Sequence, residues 1–269
     1  MSSIFRKKIS PKDIDAIIPD HVLAIPEADS LSRLYGLATQ ILIIFFGFEW
    51  VSDNIFGARP RENFLYSDEL GSPDGFKHQD RVVDISEMLY NLQHIPGIES
   101  VIERIQKDSI EAFTAELQAA KWLFYNEIPF RFVKRSGQKG ADFDALAVIK
   151  EQEVACEFKC KLEEKEFSIN TIDNTLRSAR KQLPQDKPSV IFVKIPENWT
   201  IRKANESLLE ATVQKFFRDT ERVNSVVFHW EEWQLFENRQ AGKGVRLREM
   251  LNPNSKFKLG KILSKHEVN

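Results

Sequence analysis

The sequence predicts an α/β (α+β) protein in which helices flank a central mixed sheet, and three patterns support this prediction. Charged and apolar residues alternate through 142–161, as expected of a hairpin with one apolar face. Apolar residues recur at helical spacing in 109–126 and 170–183, on either side of the hairpin. A β-branched run at 189–193 has the length and composition of a buried strand. The resulting order of helix, strands, helix and strand favours a sheet covered by helices.

The first core helix is predicted over residues 109–126. Asp108 and Glu111 have the D-x-x-E spacing of a capping box, which marks the start of a helix. An apolar stripe follows at helical spacing, formed by Ile110, Phe113, Leu117, Ala120 and Phe124. Glu116 lies beside this stripe, where an ordinary boundary glutamate is as reasonable an interpretation as a functional carboxylate.

The hairpin concentrates charge on one face. Side chains alternate between the two faces of a strand, so Glu157, Lys159 and Lys161 share a face opposite the apolar one. In the preceding strand Asp142 and Asp144 also share one face, opposite the apolar residues of that strand. With a turn near residues 150–153, the two strands bring an aspartate towards Glu157 and Lys159.

The other core elements alternate in type. A short strand is predicted over 129–134, before the hairpin. After it come a helix over 170–183 that ends before Pro184, a helix over 202–218 and a strand over 224–230.

Carboxylates and a lysine on one face of a hairpin suit metal chemistry. Mg²⁺ is usually held by one or two carboxylates plus substrate phosphates, and phosphodiester hydrolysis is a reaction that such metals assist. The chain resembles the PD-(D/E)xK nuclease superfamily, the restriction endonuclease-like phosphodiesterases. Asp142 matches the family's acidic residue at the head of a strand, although Ala141 stands where the family name has Pro. Glu157-Phe158-Lys159 matches the E-x-K triplet.

This resemblance implies a restriction endonuclease-like αβββαβ core and a nuclease that depends on Mg²⁺ or Mn²⁺ and hydrolyses phosphodiester bonds, with DNA as the expected substrate. Asp142 and Glu157 are then the metal ligands, with Asp144 as the alternative to Asp142, and Lys159 orients or stabilises the attacking hydroxide. Many family members place a metal-linked glutamate on the first core helix, and Glu116 is the best match, acting directly or through water.

Other functions stay open from the sequence. The charged face could be a solvated surface, because E-x-K arises by chance in highly charged chains. A second hypothesis is a catalytically silent nuclease-fold module that binds nucleic acid or a protein partner. A third is a nuclease whose activity requires a partner, as in restriction, repair, mobile-element or antiphage defence systems.

Basic side chains near the motif are candidates for contact with a nucleic-acid backbone. They lie in the glycine-bearing loop before Asp142, in the E-x-K strand and on the following helix: Lys134, Arg135, Lys139, Lys161, Arg177, Arg180 and Lys181. Gln182 matches a glutamine that some family members carry on the same helix. For the helical residues a solvated surface is an equally good interpretation.

Composition limits how nucleic acid could bind. The chain is 42% hydrophobic and 29% charged, with net charge -2 and a pI near 6.3, which is typical of a globular protein without overall attraction to nucleic acid. Binding must therefore use a local basic patch and a metal-bridged phosphate.

By pattern the chain divides into a mainly helical region at 1–105, a core at 106–235 and a basic extension at 236–269. The first region is expected to supply specificity, a homodimer interface or a surface for a partner protein. The extension is expected to be mobile or solvated, or to reach a phosphate backbone.

Within the first region, the apolar stretch at 31–51 falls short of the roughly 20 apolar residues of a membrane span, so we expect a buried helix and no membrane association. Residues 52–81 predict an irregular loop, because prolines and glycines lie among many charges. Helices are expected near 83–92 and 97–105.

The expected compartment is the cytoplasm, because no hydrophobic segment follows the basic cluster at the N-terminus. Cys156 and Cys160 are four positions apart in one predicted strand, which separates their Cα atoms by about 13 Å. A disulfide needs Cα atoms within about 7 Å, so the two residues are expected to be free thiols.

Overall fold

The computed structural model describes residues 8–10, 12–14, 18–25, 30–57, 63–65, 73–105, 109–134, 137, 142–200, 202–235 and 241–263. The strands are β1 (Phe130–Phe132), β2 (Ala145–Ile149), β3 (Gln152–Cys160), β4 (Ser189–Lys194), β5 (Val223–Leu235) and β6 (Ala241–Leu251). The helices are α1 (Asp20–Leu23), α2 (Ser30–Phe46), α3 (Phe48–Asn54), α4 (Pro73–Leu92), α5 (Ile98–Ile102), α6 (Ile110–Tyr125), α7 (Ile169–Gln182) and α8 (Lys203–Arg218).

The strands form one six-stranded open sheet in chain order. β1, β2 and β3 are antiparallel neighbours, β3, β4 and β5 run parallel, and β6 returns antiparallel to β5. Because parallel neighbours need crossover connections, α7 links β3 to β4 and α8 links β4 to β5. The prediction of an α+β protein with a mixed sheet is confirmed.

Helices cover both faces of the sheet. On one face α2, α4 and α6 pack against Phe158 and Phe192. On the other α7 and α8 pack against Ala155, Ile191 and Phe228. We call these the α6 face and the α7 face. Both faces are therefore largely buried, as expected of a sheet with parallel strands at its centre.

The hairpin between β2 and β3 turns tightly. Lys150 and Glu151 occupy the turn, both with positive φ (49° and 65°), a conformation that matches the twist of two-residue hairpins. The turn fixes the register, so that Ala145 lies opposite Cys156. The predicted turn near 150–153 is confirmed, and its register positions the site described below.

Helix α6 begins one residue later than its capping box predicted. Ser109 is the N-cap, and its Oγ accepts a hydrogen bond from the Ala112 N–H at 3.3 Å. Asp108 lies outside the described residues. Glu111 bonds to other elements, accepting from Lys194 Nζ at 2.7 Å. The predicted stripe is buried except for Phe124, which is exposed, so its inclusion was wrong.

The prediction of an irregular loop over 52–81 was partly wrong, because α4 begins at Pro73. Proline fits the first position of a helix, where its missing N–H has no intrahelical acceptor. The apolar stretch at 31–51 is divided between α2 and α3 at Gly47, which has φ 90°. Among the helices described here, none combines the length and apolar character needed to cross a bilayer.

Part of the predicted basic extension is a strand. β6 pairs along β5 from Ser225 to Leu235, so the sheet continues beyond residue 235. Its cations are paired with carboxylates of other elements: Lys243 with Asp80 and Asp84, Arg246 with Glu232, and Arg248 with Glu210. Because these charges are neutralised within the protein, the described strand is neither a mobile nor a solvated tail.

Candidate active site on the β2–β3 hairpin

Asp144 and Glu157 come together at the start of β2. The Asp144 N–H donates to the Cys156 carbonyl at 3.0 Å. Because Cys156 is also the register partner of Ala145, the ladder is irregular at Asp144. Asp144 Oδ2 also accepts from the Phe158 N–H at 2.7 Å, which anchors the carboxylate across the two strands.

Glu157 and Lys159 share the α7 face, two and four residues from Ala155 on the same strand. Lys159 Nζ lies 2.6 Å from Glu157 Oε1. The Glu157 side chain is 1% exposed and that of Lys159 is 23% exposed. The charged face of the hairpin is thus covered by a helix, and solvent reaches the pair from the Lys159 side.

Gln182 connects this pair to the loop before β2. Lys159 Nζ donates to Gln182 Oε1 at 2.5 Å. Gln182 Nε2 donates to the Asp142 carbonyl at 3.3 Å, and Asp142 Oδ1 accepts from the Gly137 N–H at 3.0 Å. The last residue of α7 therefore holds the lysine of the triplet.

Of the two candidate aspartates, Asp144 lies beside Glu157, because it hydrogen-bonds to the residues before and after Glu157. Asp142 is half-buried at the mouth of the cluster, where its main chain binds Gln182. Parity limited the choice to these two residues, and the hydrogen bonds of Asp144 distinguish between them.

Glu116 lies elsewhere. Helix α6 packs on the α6 face, where the Cys160 thiol contacts the Glu111 carbonyl at 3.8 Å. Glu116 pairs with Arg104, its Oε1 lying 2.5 Å from Nη2. The sheet thus separates Glu116 from Glu157, and the structure does not bring together the two carboxylates that the family pattern joins.

The predicted basic contacts have diverse environments. Arg135 and Lys139 lie outside the described residues. Lys134 is exposed and Lys161 is half-buried, and burial lowers the pKa of Lys161. Arg177 pairs with Asp173 at 2.8 Å and Asp219 at 3.3 Å.

Arg180 and Lys181 line an open groove of about 940 Å³ beside the C-terminal ends of α7 and α8. The cationic side chains of this groove are Arg180, Lys181, Arg218, Arg222 and Lys256, and the acidic ones are Asp186, Asp219 and Glu221. Of the cations, Arg218 and Arg222 were not predicted, because no sequence spacing relates the end of a helix to the start of a strand. Lys256 belongs to the basic extension, which was expected to be mobile or solvated or to reach a phosphate backbone. The groove begins one residue from Gln182, next to the Lys159 site.

The donor set is compatible with a hard cation but is small. Among the described residues, no three His, Cys, Asp or Glu side chains group in a way that could hold a metal ion. Mg²⁺ keeps several waters and needs only one or two protein carboxylates, so Asp144 and Glu157 meet its minimum.

The cysteines take no part in this cluster. Both are free thiols, as predicted. Burial raises the pKa of the Cys156 thiol, and the nearby charge of Asp144 adds to the effect. Burial likewise raises the pKa of Cys160 to about 12.

The fold and site define an α+β protein with an open mixed sheet and a carboxylate–lysine cluster on its hairpin. Comparison with protein-family models, curated proteins and solved structures found no match in any of the three.

Proposed function

We propose that the chain is a metal-dependent nuclease that hydrolyses phosphodiester bonds in DNA, with Mg²⁺ or Mn²⁺ as its cofactor. The observation that carries this proposal is that Asp144 hydrogen-bonds to Cys156 and Phe158, the residues on either side of Glu157, and that Glu157 pairs with Lys159. The order α6, β1, β2, β3, α7, β4 agrees with the αβββαβ core of the PD-(D/E)xK superfamily, which the motif resembles.

In this proposal Asp144 and Glu157 hold the metal ion, which would activate a water and polarise the phosphoryl group. Lys159, the partly exposed member, stabilises the attacking hydroxide. Gln182 positions the Lys159 ammonium group through its 2.5 Å hydrogen bond. Asp142 lies at the entrance of this site and is not assigned to the metal. We leave Glu116 out of the metal site, because it pairs with Arg104 on the other side of the sheet.

The groove supports a nucleic-acid substrate. Its five cations face three carboxylates, which gives a local positive excess on a chain whose net charge is -2. Phosphate contacts of this kind position a duplex without reading its sequence. Because the groove adjoins Gln182, a strand bound along it would pass close to Lys159.

The biological setting we favour is restriction, repair, a mobile element or antiphage defence, with activity that depends on a partner protein or a second copy of the chain. Two exposed apolar side chains of the helical region support such contacts: Leu34 on α2 and Phe48 on α3.

Cleavage assays with metal test the proposal. Purified protein would be incubated with plasmid, linear duplex, single-stranded DNA and RNA, with Mg²⁺, Mn²⁺ or EDTA. We expect Asp144→Asn and Lys159→Ala to retain the fold, as judged by circular dichroism, and to abolish cleavage. The matched control is Lys187→Ala, because among the described residues its one carboxylate partner is the exposed Glu153 beside the hairpin turn.

Full cleavage by a folded Lys159→Ala protein would refute the assignment. Loss of activity in Asp142→Ala but not in Asp144→Asn would restore Asp142 as the metal ligand and contradict the role that we assign to Asp144.

One observation favours the alternative, a nuclease-like module that binds without cleaving. Glu157 is buried and already paired with Lys159 at 2.6 Å, so a metal ion would have to displace that contact. Absence of metal binding in calorimetry, together with retained DNA binding, would favour this module.

A further inference from the structure

A second cavity lies on the α6 face, beyond the carboxyl ends of β4 and β5. Its volume is about 170 Å³. Lys77 and Arg81 of α4, Lys194 of β4, and Glu231 and Trp233 of β5 line it. In open α/β sheets, ligands bind outside the carboxyl ends of the strands. The sheet separates the cavity from the Glu157 cluster, so the cavity is not part of the proposed nuclease site.

Two buried groups at this cavity have incomplete hydrogen bonding. Arg81 donates from Nη1 to the Phe64 carbonyl at 2.7 Å and from Nη2 to Glu163 at 2.5 Å, but its Nε has no acceptor among the described residues. Glu231 Oε1 accepts from Gln118 at 2.8 Å, while Oε2 accepts no hydrogen bond from the part of the chain that the structure describes and lies 3.6 Å from Arg81 Nη2.

Both side chains are more than nine-tenths buried. A buried polar atom without a hydrogen bond costs about 1–3 kcal/mol, and native proteins seldom keep two such atoms side by side. The cavity therefore presents one N–H donor next to one carboxylate acceptor, a pairing that a ligand with an acceptor next to a donor would satisfy.

Trp233 supplies a flat wall. It is half-exposed, and the cations of Arg81 and Lys77 lie 6.0 Å and 5.8 Å from its ring centroid. Planar heterocycles stack on such indole faces. At 170 Å³, the cavity is well below the roughly 300–1,000 Å³ of sites for drug-sized ligands, which limits the buried part of the ligand to one small ring system.

We propose that this cavity binds a nucleobase. Each nucleobase is planar and carries a donor next to an acceptor on its pairing edge, so that edge would meet Glu231 Oε2 and Arg81 Nε while the ring lies against Trp233. Lys77 has no carboxylate within salt-bridge distance among the described residues and is available to a phosphate attached to the same nucleoside. The base belongs either to a free nucleotide or to an extruded residue of a strand.

Calorimetric titrations in EDTA test this proposal without allowing metal-dependent cleavage. The probes are the four common nucleoside 5′-monophosphates, their nucleosides and short single-stranded oligonucleotides. The lining variants are Trp233→Leu, Glu231→Gln and Lys77→Ala, and Lys187→Ala is the control. Circular dichroism checks that each variant is folded; if Glu231→Gln does not fold, the other two lining variants decide.

We expect saturable binding that falls at least tenfold in Trp233→Leu and Glu231→Gln and is unchanged in Lys187→Ala. Lys77→Ala should weaken the monophosphates and leave the nucleosides unaffected. Binding of mononucleotides identifies a free ligand, whereas binding of oligonucleotides alone that Trp233→Leu abolishes identifies a base within a strand. No saturable binding, or binding that folded Trp233→Leu and Lys77→Ala retain in full, would overturn the proposal. Asp144→Asn should leave this binding intact, so failure of the nuclease assignment would not be mistaken for failure here.

Discussion

Replacement of His229 by asparagine should make the protein less sensitive to acid. His229 lies in β5 and is almost completely buried. Neither of its ring nitrogens has a hydrogen-bond partner among the described residues. The pKa of His229 is lowered from 6.5 to about 3, mainly by burial and also by the charge of Lys194, an effect that Glu231 partly opposes. The imidazole is therefore neutral in the folded protein at mildly acidic pH.

The sign follows from proton binding. Between pH 6.5 and 3 the unfolded chain protonates this histidine and the folded chain does not. The free energy of unfolding therefore decreases as the pH is lowered through that window, by up to about 1.4 kcal/mol per pH unit. At pH 4.5 the group should cost about 2–3 kcal/mol relative to pH 7.5. Burial raises the pKa of Asp80 and Glu111, whose effects run the other way but are shared by wild type and variant.

Urea denaturation at pH 7.5, 6.5, 5.5 and 4.5, followed by circular dichroism, measures this difference. The substitution His229→Asn changes the free energy of unfolding by an amount that does not depend on pH. Added to this, the free energy of unfolding of the variant relative to wild type should rise by about 2–3 kcal/mol between pH 7.5 and pH 4.5. Parallel pH profiles for the two proteins would refute the conclusion that His229 is held neutral by burial.

Three further outcomes are expected. Lys194→Met should lower the free energy of unfolding by about 3–5 kcal/mol in urea denaturation, because Glu111, 2.7 Å from Lys194 Nζ, would lose its buried partner; a loss under 1 kcal/mol would contradict this. Gly97→Ala should lose about 1–3 kcal/mol in the same assay, because Gly97 has φ 87° and a Cβ would lie 2.5 Å from the Phe132 carbonyl oxygen. Gln182→Ala should lower the kcat of metal-dependent cleavage about tenfold with little change in melting temperature, since Gln182 holds Lys159; an unchanged kcat would remove its positioning role.

The elements with strong local patterns were predictable from sequence. Alternation between the faces of a strand located the hairpin, and helical spacing located α6 to within about a residue. These signals reflect burial of one face, which the chain encodes locally. For the same reason, they showed which side chains of the hairpin share a face.

The choice between Asp142 and Asp144 could not be predicted, because it depends on the register. That register follows from the two-residue turn at Lys150 and Glu151, both with positive φ. Neither residue is a glycine or an asparagine, the usual signals of such a turn. A two-residue turn one position earlier, at 149–150, would have preserved every parity argument while setting Asp142 at the level of Glu157.

Ion pairs between distant residues could not be predicted from the sequence. Glu116 pairs with Arg104, and Lys243 of β6 pairs with Asp84, which lies more than a hundred residues earlier in the chain. No periodicity connects such partners. The sequence therefore allowed the cations near the C-terminus to contact a phosphate backbone, because the carboxylates that pair with them lie in distant parts of the chain.

Charged residues lie on both faces of the parallel strands near their carboxyl ends. Glu157 and Lys159 face α7, whereas Lys194 and Glu231 face α4 and α6. Burial of so many ionised groups is unfavourable unless each is paired, and the pairs hold them in fixed positions. Positional order of this kind is what a binding or catalytic site requires. The strands lie between the two clusters, so a substitution in one cluster does not touch the other. Variants of one cluster therefore serve as controls for variants of the other.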